Sequence, residues 1–217
     1  MLCPALVLPG TAVQPELSDQ DTNCIVSMYA QLLAHIGRRI SLNADEATLL
    51  TTFFEPRQLK RKELLLRQGD ISMYEAYINK GCMWAFHPDE AGKDHLIRFA
   101  LEDWWIGDID SFHSHTPSVY TIEALEDCDL LLYTKAAKDE LLIRLPKLEK
   151  FFRIRYENGL VALQRRIIHQ VSQPAENRYA DLTAKFPLLE QRLPQYVIAS
   201  YLGITPQHLS RIKNRGR

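Results

Sequence analysis

The chain has 217 residues, 46% of them hydrophobic, enough for one large domain or two small ones around a real core. Its 26 Lys+Arg and 27 Asp+Glu nearly cancel, yet residues 1–150 hold 15 basic and 23 acidic residues and residues 151–217 hold 11 and 4, so a net of −8 faces a net of +7. No apolar run approaches the ~20 residues of a membrane-spanning helix, and Cys3, Cys24, Cys82 and Cys128 form no CxxC pair, which argues against structural zinc and a disulfide scaffold and for free thiols in a reducing cytoplasm.

The opening "MLCPALVLPG" lacks a basic leader and is interrupted by Pro4 and Pro9, so it does not read as a signal peptide. Residues 1–27 are expected to be a disordered tail or the product of an upstream start codon, with the folded part beginning near Met28. Apolar spacing of three and four predicts a helix over 26–36. A second helix follows, capped by Ser41 or Asn43, with Leu49, Leu50 and Phe53 on one face and Pro56 as its stop.

From 57 to 133 the apolar period shortens toward two. "KELLLRQGD", "YEAYIN", "CMWAFH", "DHLIRFAL", "SVYTIEAL" and "CDLLLYT" read as strands separated by turn signals such as Lys80-Gly81 and Glu126-Asp127. Several short strands at such spacing predict an antiparallel barrel or sandwich. "HSH" at 113–115 reads as a solvated loop rather than a metal site, because no cysteine or acidic cluster supports it.

The helical period returns at 135. "AAKDELLIRL" ends at Pro146, and a long helix then runs to about 172. Along it Phe152, Tyr156, Leu160, Leu163, Ile167 and Val171 alternate steps of four and three, a narrow seam suited to a parallel homodimer. Pro174 marks a hinge, and "AENRYADLTAKFP" forms a further helix with Tyr179 and Leu182 on one side.

The C-terminal stretch "PQYVIASYLGITPQHLSRIK" carries the most specific local signal. Pro194 suits the first position of a helix whose apolar residues are Val197, Ile198, Tyr201 and Leu202, with Ala199 small enough for a close crossing. Gly203 suits a left-handed stop, Ile204 a plug between helices, Thr205 an N-cap and Pro206 the first turn of a new helix. Leu209 and Ile212 form its buried face, leaving Gln207, His208, Ser210, Arg211 and Lys213 outside. Two short helices joined by a glycine turn, the second showing amide, hydroxyl and cationic groups outward, form a helix-turn-helix suited to double-stranded DNA. Arg211 suits guanine, Gln207 suits adenine, and Thr205 with the helix start suits phosphate. The candidate DNA-binding set is therefore Thr205, Pro206, Gln207, His208, Ser210, Arg211 and Lys213.

The order of parts and the segments "RQGD" (67–70), "INKG" (78–81), "WWIGD" (104–108), "SVYTIEALED" (118–127) and "IASYLGITPQHLSRIK" (198–213) resemble the Crp/Fnr family of bacterial transcription regulators. The resemblance implies an α+β fold: an antiparallel β-roll of cyclic-nucleotide-binding type, a jelly roll with flanking helices, then a long dimerisation helix and an all-α helix-turn-helix domain. The expected boundaries are 28–145 for the sensor domain, 146–172 for the dimerisation helix and 173–217 for the DNA-binding domain. It also implies a homodimer, a near-palindromic DNA site and RNA polymerase as a further partner, and it points to Trp105, Gly107, Asp108, Ser118, Val119 and Tyr120 as the effector pocket.

Family members that bind cyclic nucleotides hold the phosphate with a Gly-Glu pair and an Arg before Ser or Thr. Here Gly107 and Ser118 match, but Asp108 replaces Glu, Pro117 stands where the Arg is expected, and 109–117 contains no Arg or Lys. A buried phosphate with no cation is poorly compensated, so cyclic AMP is disfavoured and the effector is expected to be different or absent. Cys3 and Cys24 are too isolated for the iron–sulfur cluster some members carry, and no cofactor or metal is expected. No nucleophile–base set or phosphate loop points to an enzyme. The second reading is a metabolite- or cyclic-nucleotide-binding module whose helical tail docks a protein partner.

Overall fold

The structure is a computed structural model and describes residues 19–215, with side chains described for 27–214. In chain order the elements are α1 (Asp19–Gly37), α2 (Ala44–Thr51), β1 (Glu55–Leu59), β2 (Leu64–Leu66), β3 (Tyr74–Lys80), β4 (Met83–Pro88), β5 (Asp94–Ala100), β6 (Trp105–Ile106), α3 (Ile109–Ser114), β7 (Thr121–Ala124), β8 (Cys128–Thr134), α4 (Lys135–Arg144), α5 (Leu148–Ser172), α6 (Ala175–Lys185), α7 (Leu189–Arg192), α8 (Gln195–Leu202) and α9 (Pro206–Arg215). The strands form two antiparallel sheets, ordered β1-β8-β3-β6 and β2-β7-β4-β5. Among the described residues, no helix is long and apolar enough to cross a membrane.

Strand alternation sorts the apolar residues into three layers. Ala76, Ile78, Met83, Ile106, Ile122, Leu130 and Leu132 fill the space between the sheets. The opposite faces of β3, β6 and β8 contribute Tyr77, Trp105, Leu131 and Tyr133, which pack under Leu32 and Ile36 of α1, Leu141 of α4 and Phe151 and Phe152 of α5. On the far side of the other sheet, Trp84, Leu96 and Phe99 pack under Leu182, Leu189, Val197, Ile198 and Leu202. Both sheets are thus covered by helices, which explains why these strands are richer in apolar residues than a half-exposed sheet requires.

One bulge redirects the chain. Ala85 pairs with Arg98 and Phe86 with Leu96, so Ile97 is the extra residue. Leu96 and Phe99 therefore face the C-terminal helices while Arg98, in one row with Ala85 and Ile122, faces the space between the sheets.

The elements differ from the sequence reading in several places. α1 begins at Asp19, so residues 19–27 are helical rather than tail; the expectation for 1–18 lies outside the described residues. Asn43, not Ser41, caps α2, in a reciprocal capping box with Glu46. Strands β1 and β6 carry no period-two signal, because β1 is an exposed edge and β6 is two residues long. Residues 113–115 are not a free loop: His113 lies in α3 and His115 ends it in the left-handed region, at φ 57°. Pro194 is the N-cap of α8 rather than its first residue, with ψ 145°.

Candidate nucleic-acid interface and sensor site

The C-terminal helix pair is locked by local chemistry. Gly203 has φ +67°, where a side chain is strained, and the bonds Gly203 N–H to Ser200 (3.1 Å) and Ile204 N–H to Ala199 (3.0 Å) close α8. Arg178 of α6 donates to the Leu202 carbonyl at 2.8 Å, satisfying another group at that helix end. Thr205 caps α9 as its spacing predicts: its hydroxyl accepts the His208 N–H at 3.2 Å. Leu209 and Ile212 are buried, and Ala199 is fully buried where α8 packs.

Of the seven candidate DNA-binding residues, Thr205, Pro206, Gln207, Ser210 and Arg211 are exposed. His208 is half-buried. Lys213 is half-buried too, and its ammonium lies 2.7 Å from Glu190, so its charge is already partly matched within the chain. Asn214 was missed by the sequence reading. It is exposed and lies seven residues after Gln207, on the face shared with Ser210 and Arg211; the helical period alone would have found it.

The proposed seam on α5 divides into two parts. Phe152 is buried in the chain's own aromatic layer, and the Tyr156 hydroxyl donates to Glu75 at 3.0 Å, so neither faces a partner. Leu160, Leu163, Ile167 and Val171 are exposed, at 58%, 47%, 50% and 81%, and Val161 and Ile168 lie exposed beside them. The period of the stripe is continuous, but its first two turns lie over the roll.

The six candidate effector residues do not line one cavity. Trp105 points to the outer face of its sheet, among Phe54, Tyr77, Tyr133 and Phe152, with the Arg155 guanidinium 4.9 Å from its ring. The reason is parity: Ile106, not Trp105, is the inward residue of β6. Val119 is 65% exposed on the surface. Gly107, Asp108, Ser118 and Tyr120 do come together. Asp108 is buried and caps α3, accepting N–H bonds from Asp110 (3.1 Å) and Ser111 (3.2 Å) and the Ser118 hydroxyl at 2.7 Å. Tyr120 donates to the Gly107 carbonyl at 3.2 Å, and burial, aided by Asp108, raises its pKa. A Cβ at Gly107 would meet Glu75 Cγ at 3.0 Å and Glu75 Cα at 3.2 Å, so a side chain there would press on β3. The carboxylate that the resemblance assigns to a ligand is thus already engaged by α3 and Ser118.

The residues the sequence reading missed are cationic. Arg98 donates from Nη2 to the Trp105 carbonyl at 2.8 Å, beside Gly107. Burial holds its pKa below the usual guanidinium value. Arg155 pairs with Glu75 at 2.5 Å, with side-chain exposures of 12% and 3%. Neither residue lies in the 109–117 segment where a phosphate-holding cation is sought. On the opposite, β1–β2 side a groove of about 540 Å³ is lined by Arg57, Leu59, Leu66, Arg67, Met73 and Tyr74, among others, and by none of the six candidates. Among the described residues there is no group of His, Cys, Asp and Glu that could hold a metal ion.

Residues 56–144 match the family model for the cyclic nucleotide-binding domain. No curated protein matches the sequence significantly. Similar solved structures include the c-di-GMP responsive global regulator CLP of Xanthomonas campestris, at 11% identity over 80% of this chain and 91% of that one with a TM-score of 0.66. A CooA mutant from Carboxydothermus hydrogenoformans is similar at 16% identity over 84% and 83% with a TM-score of 0.64. FixK2 from Bradyrhizobium japonicum is similar at 14% identity over 75% and 83% with a TM-score of 0.63. At these identities the likeness is one of fold: residues 56–144 are a cyclic-nucleotide-binding-type β-roll, followed in this chain by the long helix α5 and the helices α6 to α9.

Proposed function

We propose that this chain is a homodimeric, sequence-specific DNA-binding transcription regulator of the Crp/Fnr type, with the roll as its sensing part. The observation that carries the reading is α9: Leu209 and Ile212 hold it to the fold while Gln207, Ser210, Arg211 and Asn214 stay exposed on the basic end of the chain. That is the side-chain chemistry a helix needs in a major groove, where guanidinium and amide groups read base edges and hydroxyls meet phosphates. The exposed apolar half of α5 supports a second copy, because six large apolar side chains in water on one 25-residue helix call for cover. Two copies joined there would present two α9 helices to half-sites about one DNA turn apart.

The test is selection of genomic DNA fragments by the purified protein, with and without cyclic AMP. A near-palindromic motif enriched equally in both arms is the expected result. Enrichment only with cyclic AMP would reinstate that nucleotide as the effector despite Pro117 and the engaged Asp108. No enrichment in either arm would leave two readings, a regulator that needs an effector other than cyclic AMP or α9 as a surface for a protein partner.

A further inference from the structure

Helix α1 meets the roll and α5 at a single joint. His35 projects from the last turn of α1 among Tyr77 of β3, Trp105 of β6 and Phe151 of α5, with ring centres 5.3, 6.4 and 5.8 Å away. The Trp105 indole N–H donates to His35 Nε2 at 3.4 Å. An indole nitrogen can only donate, so this bond requires Nε2 to be without a proton and the imidazole to be neutral, with its proton on Nδ1. Nδ1 is buried and has no hydrogen-bond partner among the described residues. A second proton would set N–H against N–H at Trp105 and place an imidazolium where neither nitrogen finds an acceptor. The Trp105 ring already carries the Arg155 guanidinium, 4.9 Å from its centre.

The charged groups around His35 come from each element at the joint: Arg38 and Arg39 of α1, Arg155 of α5, and Asp103 from the turn before β6. Asp103 and the C-terminal end of α1 favour an imidazolium. The Asp103 carboxylate is already engaged, accepting from the Tyr77 hydroxyl at 2.5 Å, Arg38 at 3.0 Å and Gln31 at 3.3 Å. Burial, aided by the three guanidiniums, outweighs it and holds the His35 pKa below the usual 6.5. We propose that His35 is a proton-sensitive latch: neutral, it fastens α1 to Trp105 and the start of α5, and on acidification it lets α1 lift from the roll. A histidine with a depressed folded pKa contributes stability that is fully present above the unfolded value, about 6.5, and is lost as pH falls below it. Phe151 and Arg155 belong to α5, so release of α1 loosens the seat of the helix that continues into the exposed apolar stripe. That consequence rests on reading the chain as a dimeric regulator; the latch itself does not.

The experiment follows the full chain between pH 7.5 and 5.5 by NMR of the histidine ring carbons, amide exchange and thermal melting. The resonance missing from His35→Gln is expected to titrate below about 6.5 in wild type. On acidification, exchange over residues 28–36, corrected for its chemical pH dependence, is expected to quicken about tenfold more than in β3 and β8. In His35→Phe, which keeps an aromatic ring without a titrating group, that extra quickening disappears, and the melting temperature falls about 2–4 °C less than that of wild type over the same range. His35→Gln serves the same comparison if His35→Phe does not fold. A His35 resonance titrating at or above 6.5, or an α1 response equal in wild type and both variants, overturns the proposal. His113, whose pKa also lies below the usual value, is the control. A response lost in His113→Gln and kept in the His35 variants places the sensing group on α3 and likewise overturns it. None of these readouts uses DNA. DNA binding is measured separately at both pH values: its absence at both removes the regulator reading and leaves the latch, whereas DNA binding without the α1 response does the reverse.

Discussion

Glu75 shows how one residue ties several parts of the chain together. Its carboxylate accepts hydrogen bonds from Tyr133 of β8 and from Tyr156 and Arg155 of α5, and Tyr156 in turn accepts from Lys138 of α4 at 2.8 Å. Burial pushes the Glu75 pKa up, but the Arg155 guanidinium and the Tyr133 hydroxyl outweigh it and hold the carboxyl below its usual range. A carboxyl with a depressed folded pKa contributes stability that is present above the unfolded value, about 4.3, and is lost as pH falls through the folded one. Glu75→Gln is therefore expected to destabilise the protein by about 3 kcal/mol at neutral pH, because Arg155 is left buried without its counter-charge. The difference in melting temperature from wild type should shrink as pH is lowered below about 4.3; a constant difference from pH 7 to pH 3 would show that the carboxylate charge is not what matters. In the sequence, "YEAYIN" reads as a strand with one acidic residue, and nothing local distinguishes a solvated Glu from this one. Its partner Arg155 lies 80 residues away.

At the scale of the element, α5 carries one stripe with two uses. Phe152 and Tyr156 close the aromatic layer of the roll, and from Leu160 onward the same stripe faces outward. The helical period in the sequence identifies the stripe but not the point where its own domain ceases to cover it. Leu163→Glu places a charge in the middle of the exposed half, at a side chain that is 47% exposed and outside the chain's buried core. Under the proposed dimer, its expected effect is a shift to monomer in sedimentation analysis with little change in melting temperature, and a weakening of binding to a two-half-site DNA far more than to a single half-site. A dimer mass unchanged by the substitution would show that another surface joins the copies, and a monomeric wild type would remove the proposed seam. α8 and α9 were more legible, because each boundary is set by neighbouring residues: Gly203 by its backbone, Thr205 by its hydroxyl, Pro206 by its fixed φ.

Taken as a whole, the molecule docks its C-terminal helices on the roll through a continuous apolar layer, with Trp84 against Tyr196 and Phe99 against Phe186 and Tyr201. Arg192 of α7 fastens the edge of that layer. Its guanidinium contacts Glu102 at 2.8 Å through both terminal nitrogens, and Glu126 at 3.0 and 2.7 Å. These side chains are 25–38% exposed, so water screens much of the attraction, and Arg192→Ala is expected to cost only about 1–2 kcal/mol. Its clearer signature is local: amide exchange should quicken in α7, α8 and β5 while β3 and β8 stay protected. Uniform quickening across the chain would mean that the roll and these helices unfold as one unit.

By itself the sequence determined what neighbours can determine: the run of short strands, the long helix, the glycine turn and cap of the last two helices, and the charge difference between the two ends. Tertiary structure alone decided which members of a periodic stripe are covered, which parity of β6 faces inward, and how a single bulge turns Arg98 into the roll. Those outcomes depend on pairings between segments tens of residues apart. The physical difference is one of range: caps, turns and periods are set by chemistry within a few residues, whereas burial and the meeting of charges follow from which surfaces the folded chain brings face to face.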